Sequence, residues 1–263
     1  MFKLLKILAI LPVAIALSAC STDSSEVDNQ DIYLSIKMTE ESPTGLIKIN
    51  AEFREKHALG NSIILVDGDH LVVSFNGTPE ALSEDKDIID TDYEASIQTE
   101  GELGVFNFSF NRTGFESVSF DIDAPASFQI SSPQAGDTFY DGETPKLNWS
   151  PANPEGQVSV DGHIKCFAIE EDLELDTDNE NETWTALDTG SYYVPLAELA
   201  RNMRFEVKIE DDVLLTSKAC EFDIKLSREN TTYLSDYFAS NSKVSMQKYD
   251  VVKNMKFYIN GFD

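Results

Sequence analysis

The chain has 263 residues and a formal net charge of −27 at pH 7. This excess of acid argues against nucleic-acid binding, because phosphates select lysine and arginine. The length is sufficient for two domains with separate cores. The acidic surface is interpreted as a solvated surface, and the alternative is a surface for cations or a basic partner.

The chain begins with a short basic segment and an apolar run. Lys3 and Lys6 precede the run 7–17, which only Pro12 interrupts. This run is shorter than the about 20 residues that a membrane-spanning helix needs. Residues 1–19 are therefore predicted to be a secretory signal peptide, whose removal would leave a mature chain of net charge −29.

The segment that closes the signal, Leu17-Ser18-Ala19-Cys20, resembles the lipobox of bacterial lipoproteins. The resemblance implies that Cys20 is acylated, with palmitate as the typical fatty acid, and becomes the mature N-terminus. Two or more acyl chains anchor a protein stably, so the lipid bilayer is the first predicted partner. In similar Gram-negative lipoproteins an Asp after the cysteine favours the inner membrane. Ser21 stands here and implies the outer membrane, with the leaflet left open. A plain signal peptide with a chance cysteine is the alternative.

Residues 20–31 are predicted to be the lipidated cysteine and a flexible tether. The sequence from Ser21 to Asp31 is STDSSEVDNQD, which is too polar to form a core. Eleven residues of random coil have a root-mean-square reach of about 18 Å. The folded part is therefore expected to stay near the membrane.

Residues 32–124 are predicted to form a first antiparallel β-sandwich. Apolar and polar residues alternate, with turn signals every eight to twelve residues and no long helical period. Asp67-Gly68 between two apolar runs predicts a hairpin. Phe106, Phe108 and Phe110 share one face of a strand and are assigned to the core. Pro125 marks the expected domain boundary.

Residues 125–227 are predicted to form a second β-sandwich. A Ser132-Pro133…Gly136 opening is followed by Leu147-x-Trp149, which resembles the first strands of immunoglobulin-like and fibronectin type III modules. The resemblance implies that Trp149 is the core tryptophan. The fold class is therefore all-β, with two immunoglobulin-like sandwiches in tandem after a lipoprotein signal peptide.

Residues 228–263 differ from the rest of the chain in charge, since five basic and four acidic residues give a net charge of +1. Segments 244–248 and 255–259 are each expected to be a strand. The segment is predicted to add an edge strand to the second sandwich, and a disordered end is the alternative. Its aromatic content favours packing.

Two cysteines remain once Cys20 is acylated. Cys166 and Cys220 are predicted to form a disulfide, as pairs in exported proteins usually do. Their separation of 54 residues corresponds to a stabilisation of about 4 kcal/mol on the chain-entropy account. The alternatives are a metal ligand or a nucleophilic thiol.

The densest cluster of charge is the run Glu170–Glu182, which has eight acids in thirteen residues. Asp176, Asp178, Glu180 and Glu182 alternate as calcium ligands do in an EF-hand loop. Asn181 and Leu187 stand where that loop has its glycine and its last glutamate. A solvated acidic loop is therefore the preferred interpretation, and a weak calcium site is the alternative.

The sequence contains none of the linear catalytic motifs of hydrolases, zinc proteases or nucleotide-binding enzymes. Ser240-Asn-Ser-Lys243 fits S-x-x-K but lacks the companion motifs. We therefore expect a non-catalytic envelope lipoprotein that binds a protein or glycan partner, or has a structural role, and needs no cofactor apart from the possible calcium. The alternatives are a calcium-dependent adhesion or scaffold protein, and an enzyme without a linear motif.

Overall fold

A computed structural model describes residues 21–42, 44–86, 91–99, 103–140, 142–170, 173–196 and 217–259. The predicted signal peptide and Cys20 lie outside these ranges. Within them, no helix has the length and apolar character that crossing a bilayer requires.

The described residues of the amino-terminal half form ten strands. They are β1 (Ser21–Asp23), β2 (Ile32–Glu41), β3 (Leu46–Glu55), β4 (Ser62–Ile64), β5 (His70–Phe75), β6 (Thr78–Ala81), β7 (Ser83–Lys86), β8 (Thr91–Gln98), β9 (Val105–Asn111) and β10 (Val118–Asp123). Short 3-10 turns at Ser24–Glu26 and Asn29–Asp31 join β1 to β2.

The carboxyl-terminal half adds eight strands among the described residues. They are β11 (Gln129–Ser132), β12 (Thr138–Tyr140), β13 (Lys146–Ser150), β14 (Gln157–Glu170), β15 (Leu173–Leu187), β16 (Ser191–Tyr193), β17 (Ser217–Tyr233) and β18 (Lys243–Ile259). The predicted all-β class, with β-sandwich sheets, is confirmed.

One large sheet extends through both halves of the molecule. Its strand order is β1-β4-β3-β2-β18-β17-β14-β15, while β8 with β7 joins β3, and β12 joins β18. The sheet β10-β9-β5-β6 covers one half of it, and the sheet β11-β13-β16 covers the other half. Each half is therefore a sandwich with its own core.

The first core is rich in phenylalanine. Phe106, Phe108 and Phe110 point inward from β9 as predicted, and each is at most 1% exposed. Phe110 contacts Phe53 of β3 and Phe238, which lies between β17 and β18. Alternation along β9 thus places one residue in two against the facing sheet.

The second core is built around Trp149, which is buried as the resemblance to immunoglobulin-like modules implied. Val160 and Ile164 of β14 and Phe222 of β17 contribute to the same cluster. Gln157–Glu170 form one continuous strand, β14.

The carboxyl-terminal segment is not the edge strand that the sequence suggested. β18 lies between β17 and β2 in the interior of the large sheet, and the two segments expected as separate strands form one strand of 17 residues. Val244 and Met246 enter the first core, whereas Met255 and Phe257 enter the second. The segment is shared because its apolar alternation is long enough for both cores.

The predicted flexible tether is also wrong, because residues 21–31 are folded against the first sandwich. β1 pairs in parallel with β4, with Ser21 opposite Ser62. Ser24 is fully buried, and its hydroxyl donates to Asp69 at 2.8 Å. Val27 enters the first core, but most of this segment is held by hydrogen bonds, which is why its polar composition misled the prediction.

The predicted turn at Asp67-Gly68 is present, but the flanking strands do not pair. Both residues have positive φ, 56° and 90°. However, β4 belongs to the large sheet and β5 to the sheet that faces it. The chain crosses between the two layers here, and the backbone amide of Leu65 donates to the Tyr93 hydroxyl at 2.8 Å instead of to a hairpin partner.

Candidate functional site

The predicted disulfide is present. Cys166 of β14 lies opposite Cys220 of β17 in the antiparallel register, and the two sulfurs are bonded. Both residues are buried in the second core. A metal site or a free nucleophilic thiol at these positions is therefore excluded, and the bond joins two central strands of the large sheet.

The acidic run is a strand rather than a loop. Most of it lies in β15, which pairs with β14 and places Asp178 opposite Cys166 and Glu182 opposite Gly162. The side chains of Asp176 and Asp178 fall outside the described part of the structure. Among the residues that are described, no group of three or more metal-ligating side chains comes together. The calcium site stays a prediction, without the loop geometry on which the comparison with EF-hands rested.

The three histidines of the chain and the S-x-x-K segment Ser240–Lys243 are dispersed. His57 lies in the loop between β3 and β4, His70 begins β5, and His163 lies on β14, where its ring is 2.6 Å from Asn181 Oδ1. Ser240 and Lys243 lie at the turn between β17 and β18. No pair of these forms a nucleophile and base within hydrogen-bonding distance in the described residues.

A buried ion pair lies where the two sandwiches meet. Lys248 of β18 and Glu40 of β2 are both fully buried, with Lys248 Nζ 3.0 Å from Glu40 Oε2. The same ammonium donates to Ser127 Oγ at 2.9 Å. Because Ser127 lies in the segment that joins the sandwiches, this lysine connects three parts of the chain.

A second buried charge cluster surrounds Arg228. Its Nε and Nη2 donate to the carboxylate of Asp188 at 2.6 and 3.0 Å. Its remaining N–H groups reach backbone carbonyls of Ala126, Ser127 and Pro151. The carboxylate also accepts from Trp149 Nε1 at 2.7 Å. The contacts of Arg228 use all five N–H donors that an arginine side chain has. The role of this guanidinium is therefore to fix the junction.

A cavity of about 360 Å³ lies beside this cluster, lined by Arg228, Asp188, Asn230 and Gln157 among others. The Asn230 side chain donates to the carbonyl of Asp123 at 2.8 Å. A second cavity of about 380 Å³ lies near Phe75 and Glu80 in the first sandwich. Both are small and polar-lined, whereas typical ligand pockets are mostly apolar.

A third buried charge cluster fixes the amino-terminal segment. Arg112 Nε lies 3.2 Å from Asp69 Oδ2, and both side chains are almost completely buried. Nη1 donates to Asn29 Oδ1 at 2.6 Å, and Nη2 donates to the carbonyls of Ser24 and Val27. Arg112 therefore plays the same role for residues 24–29 that Arg228 plays for the junction.

Two tyrosines have perturbed acidity. Burial raises the pKa of Tyr93 above its ordinary value, the hydrogen bond from the amide of Leu65 lowers it in part, and the charge of Glu84 raises it. Burial and the charge of Glu182 raise the pKa of Tyr192. Both effects favour the neutral phenol, which suits a structural tyrosine.

Sequence reasoning missed these buried charges. Arginine and lysine are normally exposed, so these three residues were not assigned to the interior. One weak signal exists: Arg112, Arg228 and Lys248 each keep the inward phase of the alternation that precedes them, after Phe110, Leu226 and Met246. A charged residue in that phase indicates a buried partner, but not which one.

No protein-family model matches the sequence, and no curated protein matches it significantly. Among solved structures, the chain is similar to the two immunoglobulin domains of DIP-gamma, at 11% identity and a TM-score of 0.23, over 88% of this chain and 96% of that one. It is also similar to a mutant of Salmonella alpha-2-macroglobulin, at 11% identity and a TM-score of 0.26, over 90% of this chain and 16% of that one. At these scores neither likeness carries a functional argument.

Proposed function

We propose that this chain is a non-catalytic lipoprotein of the Gram-negative outer membrane, anchored through acylated Cys20. Its two sandwiches form a rigid spacer, and the second sandwich is presented away from the bilayer to an envelope protein or glycan. The observation that carries this proposal is the position of Ser21. It begins β1 at the end of the first sandwich that is remote from the second.

The path of β18 supports the end-to-end arrangement. Residues 243–249 pair with β2 in the first sandwich, and residues 256–258 pair with β12 in the second. At about 3.3 Å per residue, a strand of 17 residues extends about 56 Å. An anchor at Cys20 would therefore leave the far end of the second sandwich several tens of ångströms above the lipid.

The buried charges support the rigidity of the spacer. The Lys248–Glu40 and Arg228–Asp188 pairs connect β2, β17, β18 and the joining segment at the junction. Ser42 adds a hydrogen bond to the carbonyl of Phe128 across the same boundary. Bending the junction would separate these groups in a medium where unpaired charges are costly.

Acylation is tested by metabolic labelling with radioactive palmitate in a Gram-negative host that expresses the full chain. The unaltered protein should incorporate label and sediment with the outer membrane. The Cys20→Ser variant should incorporate none and be missing from that fraction, while Ser21→Ala is a matched control that keeps the thiol. An unlabelled protein, or a Cys20→Ser variant that still sediments with the outer membrane, would contradict the proposal.

A further inference from the structure

The end of the first sandwich at which the described chain begins is formed by three segments, which together we call the N-terminal tip. They are Ser21 with the start of β1, the loop 56–61 between β3 and β4, and the turn 234–242 between β17 and β18. The parallel register sets Ser21 beside Ser62, the residue that follows the loop. Cys20 is thus one Cα–Cα step, about 3.8 Å, from a residue paired at the tip.

Two hydrogen bonds connect the loop and the turn to one short piece of chain. The amide of Lys56 donates to the carbonyl of Asp31 at 2.7 Å. The side chain of Gln30 donates to the carbonyl of Asp236 at 3.2 Å. Since residues 30 and 31 are adjacent, the loop and the turn flank the same segment.

The tip exposes large apolar and aromatic side chains. Leu59 is 92% exposed, more than any other large hydrophobic residue in the described part of the chain. Tyr233 and Tyr237 are 70% and 45% exposed at the turn. A single exposed leucine is unremarkable, but a leucine and two tyrosines at the point of attachment are the residue types that a membrane–water interface favours.

The loop is built to hold Leu59 outward. The amide of Glu55 donates to the carbonyl of Asn61, and Gly60 donates to His57, which closes the loop at its base. A Cβ at Gly60 would lie 1.8 Å from the carbonyl oxygen of Glu55, so only glycine fits. Leu59 is therefore presented by a closed turn and not by a slack segment.

From these observations we infer that the N-terminal tip is a second, non-covalent membrane contact. Leu59, together with Tyr233 and Tyr237 of the same tip, enters the headgroup region of the leaflet that holds the acyl chains of Cys20. This inference rests on the proposed anchoring and extends it. Because β1 begins at Ser21, directly after Cys20, no flexible linker separates the acyl chains from the folded domain. The contact fixes the direction in which the second sandwich projects from the membrane. A flexible tether would leave this direction free.

The test uses the full lipidated chain in vesicles of phosphatidylethanolamine and phosphatidylglycerol, with the fluorophore nitrobenzoxadiazole attached at one position. Leu59→Cys supplies the thiol at the tip, since Cys20 is acylated and Cys166 is bonded to Cys220. Leu103→Cys is the matched control. Leu103 is 67% exposed and lies at the opposite end of the first sandwich, just before β9.

In vesicles, we expect the label at 59 to emit to the blue of the label at 103 and to be shielded from iodide. Lipids that carry a quencher near the headgroup should quench it most, because interfacial elements sit about 5–10 Å into the boundary region. A fluorophore at Tyr237→Cys should behave as the one at 59 does. Equal melting temperatures of the labelled variants would confirm an unchanged fold.

A vesicle flotation assay distinguishes failure of the membrane contact from failure of the lipid anchor. If the protein floats with the vesicles but the labels at 59 and 103 report equal exposure to water, the anchor stands and the contact is wrong. If the protein does not float, the anchoring proposal fails and the contact fails with it. If shielding at 59 depends on protein density rather than on the quencher-bearing lipid, the tip binds a second copy and the membrane contact is overturned.

Discussion

Arg112 and Arg228 fix segments of the chain that have few apolar side chains of their own. Arg112 binds residues 24–29, and Arg228 binds the segment that joins the sandwiches. Each arginine is neutralised by one aspartate, Asp69 or Asp188, and donates other N–H groups to oxygens of the segment that it holds, while Arg228 also reaches the carbonyl of Pro151. A planar group with five donors suits this task, because it replaces the strand pairing that an irregular segment lacks.

The Lys248–Glu40 pair should be costly to break but replaceable. Lys248→Met leaves the Glu40 carboxylate buried and unpaired, and we expect the free energy of unfolding to fall by about 3–5 kcal/mol. The double variant Lys248→Met, Glu40→Leu should recover most of this loss, because no buried charge remains. Urea denaturation of the two single variants and the double variant measures the coupling. Purely additive losses would contradict the pairing.

Tyr93 should make stability fall with pH in the alkaline range. Its raised pKa means that, just above the ordinary tyrosine value, the folded protein retains a proton that the unfolded chain releases. The contribution is complete below about pH 10 and is lost as pH rises through the folded-state pKa. Comparing unfolding free energies at about pH 9 and about pH 11, the decrease should be smaller in Tyr93→Phe than in the unaltered chain. Tyr233→Phe, at an exposed site, should leave the decrease unchanged.

At the scale of elements, alternation predicts strands because it reports which side of a strand is buried. It predicted the strand that carries Phe106, Phe108 and Phe110, which is β9, and it identified these three residues as core. Alternation does not predict which strands pair with each other, since pairing depends on residues that are distant in the sequence. The β4–β5 turn was therefore recognised while its strands were assigned wrongly to a hairpin.

Three further elements show what else the sequence conceals. Residues 21–31 look like a tether because many of their contacts are hydrogen bonds to residues distant in the sequence, such as Arg112, 80 or more residues away. The acidic run looks like a loop, yet β14 supplies it with a strand partner. β18 looks like an addition to one sandwich, although its two halves serve different cores.

The amino-terminal element should depend on Arg112. Replacing it with methionine leaves Asp69 buried without its partner, so we expect a loss of about 3–5 kcal/mol in the free energy of unfolding. Hydrogen exchange in residues 21–31 should also accelerate, because two carbonyls and one side-chain oxygen lose their donor. Lys253→Met, an exposed change on β18, should stay within about 0.5 kcal/mol of the unaltered chain. Unchanged exchange in residues 21–31 would show that Arg112 does not hold them.

The whole molecule has two cores but few ways to unfold one of them alone. β17 and β18 run through both sandwiches, so losing the first core strips partners from strands that also form the second. It would also expose Glu40, Lys248 and Ser127, which are in contact across the junction. Shared strands and buried junction charges should therefore couple the two halves into one cooperative unit.

This coupling can be tested because both tryptophans, Trp149 and Trp184, belong to the second sandwich. Phe108→Ala, in the first core, removes a ring that stacks on Phe120 at 5.3 Å and should cost about 3–5 kcal/mol. The urea midpoint reported by tryptophan fluorescence should fall by the amount reported by far-UV circular dichroism, although neither indole contacts the altered site. Ser119→Ala, on the exposed face of β10, should move neither midpoint. A tryptophan midpoint that stays in place while circular dichroism shows an earlier transition would mean that the sandwiches unfold separately and that the junction is a hinge.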